Sequence, residues 1–144
     1  MEGGSVTEIA KGENLDRQKL RGVGMTFWLN IEGVPASGTS KVPPKLIGAL
    51  IDTGAEISSI SEEVARYLND TERSRKKVYT PLLGHREEDA LKCKITFLEG
   101  TMLTLEMPIV KELEPYEVLI GRDLLTDMKL EADFKNGSWK LTWA

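Results

Sequence analysis

The chain has 144 residues, of which 40% are hydrophobic and 29% charged, and its formal net charge is −4. These values indicate one globular domain with a modest core, and the acidic balance disfavours nucleic acid or an anionic membrane as a partner. No apolar run approaches the roughly 20 residues of a membrane span, and the N-terminus lacks the apolar core of a secretion signal. With one cysteine and one histidine, the chain has no internal disulfide or thiolate metal cluster. An enzyme of this composition is expected to use carboxylates, without a metal or a cofactor.

The first part of the chain divides into a polar leader and the start of a β-rich domain. Residues 1–24 are polar and glycine-rich and predict a flexible leader, whereas residues 25–144 are expected to form the domain. An aromatic and β-branched segment over 25–31 predicts a strand. A loop rich in glycine and proline over 32–44 separates it from a second predicted strand over 46–51.

The second strand leads directly into the turn Asp52-Thr53-Gly54. A carboxylate between apolar segments is costly unless hydrogen bonds or a partner charge stabilise it. Gly54 lets the backbone approach a neighbour closely or adopt a conformation closed to other residues. Taken alone, this turn is also consistent with an ordinary strand end.

The middle of the chain predicts one short helix and two hairpins. Ser59 or Ser61 is expected to cap a helix over 62–68. Residues 72–77 contain four basic side chains without an interleaved aromatic, so we interpret them as a solvated loop rather than a nucleic-acid site. Strands are then predicted over 78–83 and 91–98, joined through 84–89, and a further hairpin turns at 99–100.

A second motif follows the fully apolar strand 118–120. It consists of Gly121, Arg122 and Asp123 and a short helix that Asp123 is expected to cap. Residues 130–144 predict a hairpin with 136–137 as a two-residue type I′ turn. That turn would pair Phe134 with Trp139 and Asp133 with Lys140 across the two strands.

The segments Asp52-Thr53-Gly54-Ala55 and Ile120-Gly121-Arg122-Asp123-Leu124-Leu125, in this order, resemble the two signatures of the retroviral-type aspartic proteases, the retropepsins. The resemblance covers residues 25–134. It implies a mainly β fold, namely a single closed β-barrel domain with one or two short helices and a flap hairpin, acting as a two-fold dimer. The second strand of the C-terminal hairpin, 138–143, would be an addition to this core.

The resemblance also implies roles for individual residues. Asp52, Thr53 and Gly54 would form the catalytic turn, and Arg122 and Asp123 would support it, with Glu56 as the expected ion-pair partner of Arg122. No metal is implied. The residues expected to contact substrate are Gly54, Ala55, Glu56 and Ile57 on the turn and Leu83 and Gly84 on the flap.

These features predict a homodimeric aspartic endopeptidase in which the Asp52 carboxylates of two copies activate a water molecule. Its substrates would be extended, apolar-flanked sites of a viral or retroelement polyprotein, including its own precursor. We expect it inside the host cell or an assembling particle, not secreted by its own signal. A catalytically inactive retropepsin-like module for dimerisation or peptide binding stays open as the alternative, although the intact Asp-Thr-Gly turn favours the enzyme.

Overall fold

A computed structural model of the chain describes residues 7–12, 24–80, 84–111, 113 and 116–144. Strands dominate this part of the chain and only two short helices accompany them, which confirms the predicted fold class. The elements in chain order are β1 (Glu8–Gly12), β2 (Thr26–Gly33), β3 (Lys45–Ile51), β4 (Ser59–Ser61), α1 (Glu62–Tyr67), β5 (Arg73–Thr80), β6 (Gly84–Phe97), β7 (Met102–Val110), β8 (Val118–Ile120), α2 (Arg122–Leu125), β9 (Met128–Asp133) and β10 (Ser138–Trp143).

Six strands form a closed barrel in the order β2-β3-β8-β4-β7-β6, and the pairing of β2 with β6 closes it. The predicted barrel is therefore confirmed. Alternate side chains of each strand fill its interior, as the two-residue period of a strand requires. The largest fully buried side chains of this core include Leu29, Ile31, Ile47, Ile95, Phe97, Met107 and Ile120.

Strand β8 lies between β3 and β4 and connects the two sequence motifs. It pairs in parallel with β3, where Ile120 lies beside Ile51, and antiparallel with β4, where Leu119 lies beside Ser59. The residue that follows β3 and the residue that follows β8 consequently lie at the same edge of the barrel. This pairing brings Asp52 next to Gly121, although 69 positions separate them in the chain.

A separate three-stranded sheet has the order β1-β10-β9. Residues 8–12 form β1 and so differ from the flexible leader predicted over 1–24, of which residues 1–6 and 13–23 lie outside the described part. The strand forms because β10 supplies its hydrogen-bond partners. Ile9 also joins the hydrophobic core, and the backbone of Gly12 lies against the Trp139 indole, which leaves no room for a side chain.

The C-terminal hairpin is present, but its register differs from the predicted one by two residues. Trp139 pairs with Ala132 rather than Phe134, and residues 134–137 form a four-residue turn. Both Asp133 carboxylate oxygens accept hydrogen bonds from Asn136, from its backbone N–H at 3.2 Å and from its side-chain amide at 2.7 Å. These bonds favour the longer turn, and a shift of two residues keeps every side chain on its predicted face.

The charged segment 72–77, predicted as a loop, lies mainly in strand β5, and residues 84–89, predicted as a connection, belong to β6. The prediction was wrong because the basic side chains of β5 face acidic ones across the hairpin. Arg75 pairs with Asp89 at 3.0 Å, and Arg73 reaches Glu62 of helix α1 at 2.9 Å.

The predicted helix α1 is confirmed, and the Ser61 hydroxyl caps it by accepting a hydrogen bond from the Val64 N–H.

Cys93 lies in the barrel interior and is fully buried. Burial away from water raises the pKa of its thiol to about 12, because the thiolate would lose its hydration. The thiol should therefore be neutral and shielded at ordinary pH.

We expect iodoacetamide at pH 8 to alkylate Cys93 only when the barrel opens. Mass spectrometry should show little adduct in the folded protein and complete reaction in denaturant. Equally fast alkylation in both states would contradict the burial of this side chain.

Candidate active site

Hydrogen bonds to the backbone hold Asp52 in place directly after β3. Its N–H donates to the Ile120 carbonyl at 3.0 Å, and its own carbonyl accepts the Ala55 N–H at 3.2 Å. The Gly54 N–H donates to the Asp52 Oδ1 atom at 3.0 Å. The side chain of Asp52 is half-buried, whereas Thr53 and Gly54 are exposed. The turn thus presents a fixed carboxylate, and the hydroxyl beside it, at the molecular surface.

The second motif supports the turn through three further hydrogen bonds. The Arg122 N–H donates to the Ala55 carbonyl at 2.8 Å, and the Asp123 N–H donates to the Glu56 carbonyl at 3.1 Å. The Arg122 Nη1 atom donates to the Thr53 carbonyl at 3.1 Å. These bonds fix the backbone over the whole span from Thr53 to Glu56.

The expected ion pair between Arg122 and Glu56 is not among the salt bridges within the described residues, so this expectation was wrong. Both side chains are exposed, and the guanidinium reaches a backbone carbonyl instead. The Glu56 residue contacts the second motif through its own carbonyl oxygen, which accepts from Asp123. Arg122 therefore supports the turn as a hydrogen-bond donor to Thr53.

A buried network around Ser58 completes the support and was missed by the sequence analysis. The fully buried Ser58 donates from its hydroxyl to the Asp123 Oδ1 atom at 2.6 Å, and its N–H also donates to this carboxylate. The Gly121 N–H in turn donates to the Ser58 hydroxyl at 2.9 Å. The available signal was the pair Ser58-Ser59 between Ile57 and Ile60, since a buried hydroxyl needs hydrogen-bond partners. The prediction that Asp123 caps α2 was wrong: the helix begins at Arg122, its N-cap residue is Gly121, and no side chain caps it.

Gly121 lies where two stretches of backbone touch. A Cβ atom built on it would come within 2.9 Å of the carbonyl oxygens of Ala55 and Ile57 and within 2.8 Å of the Ile57 carbonyl carbon. Neither of these groups is a flexible side-chain end that could move aside. Only glycine therefore permits the contact between the two motifs.

A groove of about 710 Å³ opens beside the Asp52 turn, bounded by the turn, the β5–β6 hairpin and the end of β7. Four of the predicted substrate-contacting residues, Gly54, Ala55, Glu56 and Ile57, line it. Gly84 is not among its lining residues, and Leu83 lies outside the described part of the chain. The other lining residues are Ser59, Val78, Tyr79, Arg86, Glu88, Pro108, Ile109, Val110, Lys111, Leu119 and Arg122.

Within the described residues, no group of three or more His, Cys, Asp or Glu side chains is arranged to hold a metal ion. The same part of the chain contains no helix with the length and apolar character needed to span a membrane. Asp52 and Thr53 are not among the lining residues of the groove, which include their neighbours Gly54 and Ala55.

The comparisons with known proteins agree with this geometry. The sequence profile of the family described as retroviral aspartyl protease matches residues 35–132, more than half of the chain and including both motifs. The chain belongs to the retroviral aspartyl protease family.

Two solved structures resemble this family member at low sequence identity. One is the retroviral protease-like domain of Ddi1 from Leishmania major, with 13% identity, a TM-score of 0.43 and coverage of 81% of this chain and 92% of that one. The other is a retropepsin-like aspartic protease from Rickettsia conorii, with 18% identity and a TM-score of 0.45. The match covers 83% of this chain and 94% of that one. No curated protein sequence matches the chain.

For this retroviral aspartyl protease fold, we expect Gly121→Ala to disrupt the active-site turn. The added methyl group must displace backbone at residues 55 and 57, and overpacking of this kind typically costs about 1–3 kcal/mol. Thermal unfolding should report a lower midpoint.

Gly48→Ala is the matched control, because a Cβ atom there would meet only the Glu117 carboxylate, at 4.0 Å. If both variants unfold at the wild-type temperature, the close approach at Gly121 does not support the turn.

Proposed function

We propose that this chain is a homodimeric aspartic endopeptidase. The observation that carries the proposal is the fixed Asp52 carboxylate at the surface, beside a groove lined by its own turn. Membership of the retroviral aspartyl protease family supports peptidase chemistry, and the groove lining offers apolar side chains, such as Ile57 and Leu119, to a bound peptide.

The proposed chemistry needs two carboxylates that share one proton. One of them accepts a proton from the attacking water, and the other donates a proton to the carbonyl oxygen. Two carboxylates at such short separation do not both ionise, so the pair titrates as one unit, as in aspartic proteases generally.

The second carboxylate would come from Asp52 of another copy of the chain. The sequence contains a single Asp-Thr-Gly turn, and a two-fold axis beside this turn would place the two aspartates next to each other. Thr53 and Gly54 are exposed and are available for contacts across the axis. Within the described residues, the Asp52 Oδ2 atom accepts no hydrogen bond, which leaves it available to its counterpart and to water.

The reaction is hydrolysis of a peptide bond. The water oxygen bonds to the carbonyl carbon while one Asp52 takes the proton that the water loses, and the other protonates the carbonyl oxygen. The tetrahedral intermediate, a gem-diol, then collapses: the C–N bond breaks, the leaving amine takes the proton of the protonated carboxyl, and one hydroxyl group of the gem-diol returns a proton to the other carboxylate as the carbonyl re-forms. One water molecule is consumed, and a carboxylic acid and an amine are formed, so the dyad returns to its single-proton state.

The proposed substrate is a polypeptide in extended conformation. Cleavage of a viral or retroelement polyprotein that includes its own precursor stays a prediction. It is tested by expressing the chain with its natural flanking sequence and asking whether the boundary is cut in the wild type but not in Asp52→Asn.

We expect Asp52→Asn to abolish hydrolysis of a mixed peptide library while leaving the fold intact. An amide cannot accept the proton of the attacking water, so product should fall by at least about 100-fold, the lower range for losing general acid–base catalysis. The measurement is product formation by mass spectrometry, with circular dichroism to check the fold.

Asp127→Asn is the matched control, because Asp127 is exposed and lies outside the groove lining. Hydrolysis that survives Asp52→Asn would refute the proposal. Binding of peptides by the wild type without any hydrolysis would instead support the alternative, a retropepsin-like peptide-binding module.

We also expect excess Asp52→Asn chains to suppress wild-type activity. A mixed dimer holds one carboxylate and one amide, so activity should fall roughly with the square of the wild-type fraction. Specific activity should also fall on dilution through the dimer dissociation constant. Activity that is proportional to the wild-type chain at every ratio and concentration would show that one chain is sufficient.

A further inference from the structure

The groove combines an apolar surface with a few charged groups whose partners can be identified. Its apolar part comes from Ile57 of the turn, Leu119 of β8 and Ile109 of β7, with Val78 and Val110 beside them. The charged residues of its lining are Glu56, Arg86, Glu88, Lys111 and Arg122.

Two of the three cations are already engaged. Arg86 pairs with Glu88 at 3.2 Å, and Arg122 donates to the Thr53 carbonyl. Lys111 follows the last residue of β7 and is exposed. Within the described residues, its ammonium group has no ion pair or hydrogen bond.

Among the described residues, Lys111 acts electrostatically on Glu62 at the start of α1, although Arg73 and Arg66 act on this carboxylate more strongly. The Glu62 Oε1 atom lies 2.9 Å from Arg73 and 3.9 Å from Arg66. The hydrogen bond from Arg73 is the largest cause that holds the pKa of the Glu62 carboxyl below its ordinary value. Lys111 thus adds a positive charge that this cluster does not neutralise.

We infer that Lys111 is a specificity-determining residue that selects an acidic side chain in the bound peptide. This inference rests on the proposed function, because it assigns a substrate preference to the same groove. In an extended peptide, side chains two positions apart point to the same side. A peptide whose apolar side chain lies over the apolar part of the groove would therefore direct the side chain two positions further along towards the same wall, where Lys111 lies.

The carboxylate of Glu56 determines where along the bound peptide an acidic side chain is preferred. Glu56 is exposed, lies on the catalytic turn and has no side-chain partner within the described residues. An acidic substrate residue beside the turn would be repelled by this carboxylate, whereas one at the β7 end would be attracted. In each half of the two-fold dimer, the acidic preference should accordingly appear on the side of the apolar residue that faces away from the turn.

The expected strength of the preference for an acidic side chain follows from the exposure of Lys111. Ion pairs at exposed positions are weak and screened by salt, so we expect a two- to five-fold preference for Glu over Gln at about 50 mM salt. The preference should shrink at about 500 mM salt. A larger, salt-independent preference would point to shape selection instead and would contradict the electrostatic role of Lys111.

The test uses a randomised decapeptide library with a fixed central Leu-Phe pair. The Asp52→Asn chain captures peptides from it without cutting them, and sequencing gives the enrichment at each position. With Lys111 present, Asp and Glu should be enriched two positions outside the apolar pair on both sides, because the two-fold axis places one Lys111 in each half of the groove. In the Lys111→Glu background, Lys and Arg should replace them, and Lys111→Gln should show neither preference.

Lys135→Glu is the matched control, because Lys135 is an exposed lysine in the β9–β10 turn outside the groove lining. This variant should keep the acidic enrichment. Selection without acidic enrichment, or an enrichment that Lys111→Glu leaves unchanged, would overturn the inference even if the wild-type chain hydrolyses peptides. If the Asp52→Asn chain captures no peptide, the inference about Lys111 is overturned as well. The proposed function fails only if the wild-type chain also cuts no peptide.

Discussion

The Asp52-Thr53-Gly54 turn depends on a contact between two stretches of backbone that only glycine allows. Gly121 touches the carbonyl groups of Ala55 and Ile57, and from there the chain continues into α2, whose first N–H groups bind the turn. The buried Ser58 hydroxyl connects the two sides by accepting from Gly121 and donating to Asp123. The orientation of Asp52 is therefore a property of both motifs together, because neither segment makes these hydrogen bonds alone.

Much of this arrangement could be predicted from the sequence because two short motifs carry specific backbone requirements. An apolar strand that ends in Asp52-Thr53-Gly54, and another that ends in Gly121, are compatible with few folds. The closed barrel followed from the family resemblance, and the strands around it from their apolar, alternating pattern. The groove beside the turn then follows from the strand order, which leaves the turn at an edge of the barrel.

The features that the sequence did not predict depend on contacts between distant residues. Strand β1 is short and polar, and it forms because β10 and the core behind it are available. The basic residues of β5 match acidic residues on β6, a complementarity that is visible only once the strands are aligned. The hairpin register was set by Asp133 and Asn136, because hydrophobic pattern alone does not distinguish two registers that differ by two residues.

The β5–β6 hairpin and the barrel are held by different kinds of interaction. β5 pairs only with β6 among the strands of its sheet, and charged groups, such as Arg73 with Glu62, connect it to the rest of the molecule. The barrel is held by apolar packing, which dissolved ions do not screen. Salt screens ion pairs at exposed positions, so the contact between β5 and α1 responds to ionic strength more strongly than the packed barrel does.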